Sequence, residues 1–383
     1  MNSDQRRELL ASARRVVIKV GSAVLTMEDG LDLNMLRHLA REINALRERG
    51  LDVLLVSSGA VAAGRRRIQF MRPDAAHLSD LPGRQAASAI GQGRLMHEYD
   101  RALAELGVVA AQVLLTREGL RIRERFLNAR NTLNRLLDWG AVPIINENDT
   151  VSVKELQFGD NDTLASLAVG LVEADLFINL TSADGVYDKN PDQHPEAKRL
   201  DVIEDIGSLD IPAMCDGKTA VGSGGMYSKM RAARRVAQLG APTLILSGRK
   251  GFSLGAVLDG APGGTLVLPC EQCVSSKKFW LAYHDQPAGT IVVDDGAARA
   301  LTELGKSLLP AGIVEVRGEF GQGALTAIRS KTDRVLGVGM CNYSSEQLQN
   351  IKGLRSSDIQ EQYGEHAYEE AIHRDNMLLD PAI

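Results

Sequence analysis

The first two-thirds of the chain alternates between short runs of β-branched and aliphatic residues and longer stretches with helical spacing. The runs fall at Val16–Val20, Val53–Val56, Val108–Leu114, Val142–Ile145, Leu176–Leu180 and Thr243–Leu246. Between them, helical patterns occupy Leu33–Arg47, Gln85–Glu105, Glu124–Asp138, Asn161–Val172 and Met226–Leu239. The runs are nearly continuous in apolar character, as strands are when helices cover both faces of a sheet. The pattern predicts an open three-layer α/β/α sandwich with a mostly parallel sheet and right-handed crossovers, ending near Leu258.

Beyond Asp259 the texture changes. Gly260, Pro262, Gly263 and Gly264 make a turn-rich joint, and Thr265–Leu268 reads as one more strand. Short strands then follow closely at Gly289–Val293, Ile313–Val316, Leu325–Ile328 and Val335–Met340, with brief helices at Ala297–Leu304 and Ser345–Asn350. This spacing predicts a small C-terminal β-barrel. The expected organisation is a first domain over 1–268, a linker over 269–279, a barrel over 280–358 and a tail over 359–383. No internal repeat or low-complexity tract interrupts it.

Composition narrows the function. With 383 residues and 44% hydrophobic content, the chain has ample material for a core. Its formal net charge of −5 argues against gripping nucleic acid by bulk charge, while leaving small anionic ligands open. The Arg-rich start is followed by an apolar run carrying Lys19, which does not read as a signal peptide, and no apolar run is long enough to span a bilayer. A cytoplasmic location is expected. Cys270 and Cys273 form a C-x-x-C pair without a second pair nearby, so incidental thiols are preferred over zinc.

Four loops carry candidate chemistry, each at the carboxyl end of an expected strand or at a helix start, where α/β sheets bind ligands. Lys19 sits inside an apolar strand just before Gly21 and Ser22. There it needs an anionic partner, unless it lies on an edge and snorkels to water. Ser57–Gly64 (S-S-G-A-V-A-A-G) presents backbone N–H groups and hydroxyls at a helix N-terminus. Tight packing would select the same small residues. Asn146, Glu147, Asn148 and Asp149 are separated by a nine-residue connector (150–158) from Gly159, and Asp160, Asn161 and Asp162 follow. One such residue suffices to cap a helix, and seven in two knots exceed that need. Gly222–Lys229 (G-S-G-G-M-Y-S-K) is a glycine-rich entry to a helix, matching neither the Walker A nor the G-x-G-x-x-G spacing. His373-Arg374-Asp375-Asn376 imitates a protein-kinase catalytic loop, but its Asn stands one residue after the Asp instead of five.

Taken in order, these loops resemble the amino acid kinase superfamily, and the match extends to the glutamate 5-kinase family. The residues that carry it are K-V-G-S-A-V-L from Lys19, the Ser57–Gly64 loop, R-E-R-F-L-N-A-R over Arg123–Arg130, P-I-I-N-E-N-D, F-G-D-N-D-T-L-A and the Gly222–Lys229 loop. The segments Ala288–Ala297 and Ser307–Ile313 are similar to that family's PUA domain. The resemblance implies an ATP-dependent kinase of the γ-carboxylate of L-glutamate, opening proline biosynthesis, with Mg²⁺ carried by the nucleotide. Lys19 and Lys229 would contact the ATP phosphates, and Asp162 would hold both lysines. Ser58, Asp149 and Asn161 would bind glutamate. Thr181 and Ser182, with Ser223, Gly224, Gly225, Met226, Tyr227, Ser228 and Lys229, would line the nucleotide site. The family often has Asp where this chain has Ser182. The resemblance further implies a homo-oligomer, often a tetramer, feedback inhibition by proline and a functional link to glutamyl phosphate reductase. Another superfamily member acting on a different carboxylate is the nearest alternative. An RNA-binding role for the barrel is the rival of a different class, disfavoured by balanced charge and few aromatics over Lys277–Lys352.

Overall fold

The computed structural model describes residues 3–27, 30–71, 80–152, 160–215, 225–249, 251–270, 287–354, 358–359 and 368–379. The chain divides into two compact units, Met1–Cys273 and Val274–Ile383.

The first unit is built on one eight-stranded sheet. In chain order its strands are β1 (Arg15–Val20), β2 (Asp52–Ser57), β3 (Ala110–Leu115), β4 (Val142–Glu147), β5 (Leu176–Thr181), β6 (Val202–Ile203), β7 (Thr243–Ser247) and β8 (Thr265–Val267). Across the sheet they run β6-β8-β7-β5-β1-β2-β4-β3. All pairings are parallel except β7 with β8. The strand β3 begins two residues later than the apolar run suggests, because Gly107 still turns the chain at φ +73. The two-residue edge strand β6 is too short to show as a hydrophobic run.

The pleat sorts side chains between two layers. Val16, Ile18 and Val20 of β1, with Leu176, Ile178 and Leu180 of β5, join a core with helices α1 (Leu33–Glu48) and α2 (Leu81–Ala104). Lys19 and Asn179, paired in register on neighbouring strands, therefore belong to the opposite face. On that face lie helices α3 (Asp160–Val172) and α4 (Met226–Gln238), which pack against one another. The helix α2 starts four residues before the expected Gln85, with Asp80 as its cap: the side chain accepts from the Gly83 N–H at 3.0 Å.

In the second unit, β9 (Gly289–Val293), β10 (Ile313–Arg317), β11 (Leu325–Ser330), β12 (Val335–Met340) and β13 (Met377–Leu378) form a five-stranded sheet in the order β10-β9-β11-β12-β13. Bulges between Val292 and Val293 and between Ile328 and Arg329 bend its strands. Its core joins Ile291, Val293, Ile313 and Ile328 to Leu301, Leu348, Ile372 and Met377. The pattern of apolar residues showed no element near Met377. That strand is only two residues long and is held by pairing with Val338 and Gly339. No helix among the described residues is long and apolar enough to cross a membrane.

Candidate active site

The strand ends of the first unit open onto a cleft of about 530 Å³. One end is dominated by buried charge. Lys19 Nζ lies 2.6 Å from Asp162 Oδ1, and Lys229 Nζ lies 3.3 Å from Asp162 Oδ2. These three groups come from β1, the first turn of α3 and the first turns of α4. The Asp162 carboxylate also accepts from Ser228 Oγ at 2.6 Å and from Asn179 Nδ2 at 3.0 Å. Asp162 is fully buried, and the lysines are 4% and 6% exposed. Burial would push the Asp162 carboxyl up, but the Lys19 and Lys229 charges, with hydrogen bonds from Lys19 and Ser228, hold it well below the usual carboxylate range. Burial pulls the Lys229 ammonium down, and Asp162 opposes that shift. Among the described residues the cluster sets two ammonium groups against one carboxylate, a balance that favours an anionic ligand in the cleft.

The other end is polar and amide-rich. Asn161, adjacent to Asp162, donates from Nδ2 to Ser58 Oγ at 2.9 Å and to Asn146 Oδ1 at 3.0 Å. Its Oδ1 is buried without a partner, an arrangement that favours a ligand donor at this wall. Asn146 in turn donates to Gln92 Oε1 at 2.8 Å. Asp149 accepts a short hydrogen bond from Ser88 Oγ of α2. Burial pushes the Asp149 carboxyl up, against the Ser88 hydrogen bond and the Arg84 charge, which pull it down.

The glycines of the Ser57–Gly64 loop have two different causes. Gly59 turns the chain at φ +111, a conformation that a side chain would strain. Gly64 serves packing between two helices: it lies in the helix Ala60–Met71, where a Cβ would overlap the Ala87 carbonyl of α2. The reverse contact is made at Gly91, where a Cβ would overlap the Ala60 carbonyl. This contact places α2, with Ser88 and Gln92, beside the loop.

Lys19, Ser58, Asp149, Asn161, Asp162, Thr181, Ser182, Gly225 and Lys229, which the sequence singles out, all line this one cleft. Thr181, Ser182, Gly225 and Lys229 also line an adjoining cleft of about 560 Å³, together with Met226 and Tyr227. Ser228 faces Asp162, as its hydrogen bond shows. Ser223 and Gly224 lie outside the described residues. Gly225, which lines both clefts, caps α4 with extended backbone and no side-chain cap, so the first turn of α4 keeps N–H groups without intrahelical partners. The Arg123–Arg130 segment lines neither. Arg65, Arg84, Ser88 and Asn179 were not singled out: they sit inside helices or a strand, without the local clustering that marks a loop.

The model of the amino acid kinase family matches residues 14–247, and that of the PUA domain matches residues 289–363. A glutamate 5-kinase of Maridesulfovibrio salexigens is 58% identical over 378 residues, covering 99% of each chain. The chain belongs to the glutamate 5-kinase family. Among other glutamate 5-kinases, that of Oleidesulfovibrio alaskensis is 55% identical over 99% of each chain. That of Thermus thermophilus is 46% identical over 96% of this chain and 98% of its own. Similarity to glutamate 5-kinases thus spans both units, and the PUA match begins at the first residue of β9.

Proposed function

We propose that the chain transfers the γ-phosphoryl group of ATP to the γ-carboxylate of L-glutamate, giving L-glutamyl 5-phosphate, the first step of proline biosynthesis. The observation that carries this reading is the Lys19–Asp162–Lys229 cluster, with its two ammonium groups against one carboxylate. ATP occupies the cleft lined by Tyr187, Met226 and Tyr227, its phosphates reaching Gly225 and the two lysines. Glutamate occupies the end lined by Ser58, Asp149 and Asn161.

A γ-carboxylate oxygen attacks the γ-phosphorus, and the bond to the bridging oxygen of ADP breaks. The carboxylate is already ionised at neutral pH, so no general base is needed. Catalysis rests on alignment and on charge stabilisation at the equatorial oxygens, for which Lys19 and Lys229 are placed. Asp162 keeps the two ammonium groups from separating. Both its oxygens are engaged by protein donors, so it is no ligand for a metal. Mg²⁺ carried by the nucleotide would supply further charge neutralisation at the phosphates, beside Lys19 and Lys229.

ADP release with ATP, Mg²⁺ and glutamate, together with hydroxylamine trapping of the acyl phosphate, tests the reading. No trapped product with glutamate, but product with another carboxylate, would transfer it to a different acceptor. The family reading extends to proline inhibition at the glutamate end, a homo-oligomer, and delivery of the unstable product to glutamyl phosphate reductase. Titrating activity with proline and measuring mass in solution test the first two.

A further inference from the structure

Helix α2 contributes to the acceptor end of the cleft through one face. Arg84 and Ser88 stand four residues apart, hence stacked on the same side of the helix. Ser88 is buried and its hydroxyl donates to Asp149. Arg84, half-buried one turn earlier, lines the same cleft as Asp149, and its charge acts on that carboxylate. The start of α2 is tied to the same loop, since Gln85 Nε2 donates to the Ser152 carbonyl at 3.1 Å. A carboxylate and a guanidinium therefore line the same cleft as the lysine cluster.

An α-amino acid presents an ammonium and a carboxylate on one carbon, and needs both signs of charge in its receptor. Asp149 supplies only one of them. Ser58, Asn146 and Asn161 are neutral, and Lys19 and Lys229 are engaged with Asp162 at the phosphate end. Resting on the proposed glutamate kinase activity, we infer that Arg84 binds the α-carboxylate of the amino acid, while Ser88 orients Asp149 toward its α-amino group. Arg84 and Asp149 then act as a clamp for the zwitterionic end, leaving the γ-carboxylate directed at the phosphoryl group. Arg65 also lines the cleft wall but is exposed, whereas Arg84 is half-buried on the same helix face as Ser88.

The test uses the full chain and three compounds. L-Glutamate carries both α groups, 4-aminobutyrate lacks the α-carboxylate, and glutarate lacks the α-amino group. Each is measured as acceptor and, for the two analogues, as competitor of glutamate. Arg84→Met should raise the KM for glutamate by about 30-fold, the scale for losing one charged hydrogen-bond partner, with kcat within a few-fold. The same variant should leave 4-aminobutyrate binding unchanged, and Arg84→Lys should recover much of the loss. Ser88→Ala should weaken glutamate and 4-aminobutyrate by several-fold and spare glutarate. Should the analogues neither react nor compete, the KM-against-kcat split for glutamate and the Lys rescue decide alone. An equal loss for all three compounds in Arg84→Met, an unchanged glutamate KM, or a fall in kcat at constant KM would overturn the clamp. Failure of the unaltered chain to phosphorylate glutamate would instead remove the activity on which the clamp rests.

Discussion

The two ends of the cleft treat a buried carboxylate in opposite ways. Asp162 is surrounded by two ammonium groups, a hydroxyl and an amide, and its proton affinity drops. Asp149 has the Ser88 hydroxyl and the charge of Arg84, and burial still raises its proton affinity. The first carboxylate is satisfied by the protein and organises other groups. The second has one hydroxyl donor and the Arg84 charge beside it, the setting proposed above for an ammonium group. A fold gains from the first arrangement and gives up stability for the second.

Substitutions at the two positions should separate these roles. Asp162→Asn should lower kcat by at least ~10²-fold through displaced lysines, with a stability loss of about 3 kcal/mol from two buried cations left facing one another. Steady-state kinetics and urea unfolding of the same sample read both. Wild-type turnover in that variant would end the organiser role. Next in size, Lys229→Met should cost roughly 10²-fold in kcat but much less stability, because Asp162 retains Lys19 and a desolvated ammonium is removed.

Asp149→Asn should invert the pattern. The KM for glutamate should rise by about 30-fold with kcat nearly kept, while the melting temperature stays level or increases, since a poorly compensated buried charge is gone. A clear drop in melting temperature would place Asp149 with Asp162 and erase the distinction.

The smallest effect is in the pH profile. Asp149 must be ionised to hold the ammonium, and its raised pKa means that protonation begins above the ordinary carboxylate value of 3.8. The acid limb of kcat/KM for glutamate should start correspondingly early and disappear in Asp149→Asn, with Arg84, Arg65, Glu147, Lys19, Asp162 and Lys229 as the other charged residues lining the same cleft. On the alkaline side, Lys229 should lose its proton below the usual lysine value of 10.5. Stability behaves differently: the Asp162 pairing contributes at every pH above the ordinary carboxylate range and fades only as the pH falls toward its depressed pKa.

Much of this was legible in the residues. The apolar runs marked β1 to β5, β7 and β8, because a strand buried on both faces must be apolar along its whole length. Lys19 stood out as a charge inside an apolar run, though only the sheet order excluded an edge position for β1. The knots around Asp149 and Asp162 stood out because polar residues there exceed what capping requires. The packing role of Gly64 was not legible, since a glycine needed for close helix contact looks the same in sequence as one needed for a turn. Ser88 and Arg84 gave no signal either, being single polar residues on an otherwise ordinary helix.

Local periodicity, then, was enough to mark most strands of the sheet and most of its covering helices. Tertiary structure alone decided that Asp162 meets Lys229 across 67 positions and that Ser88 meets Asp149 across 61. The reason is physical. Burial pattern is imposed on each segment by its own neighbours, whereas charge compensation is settled only when segments from distant parts of the chain come to share one unsolvated volume.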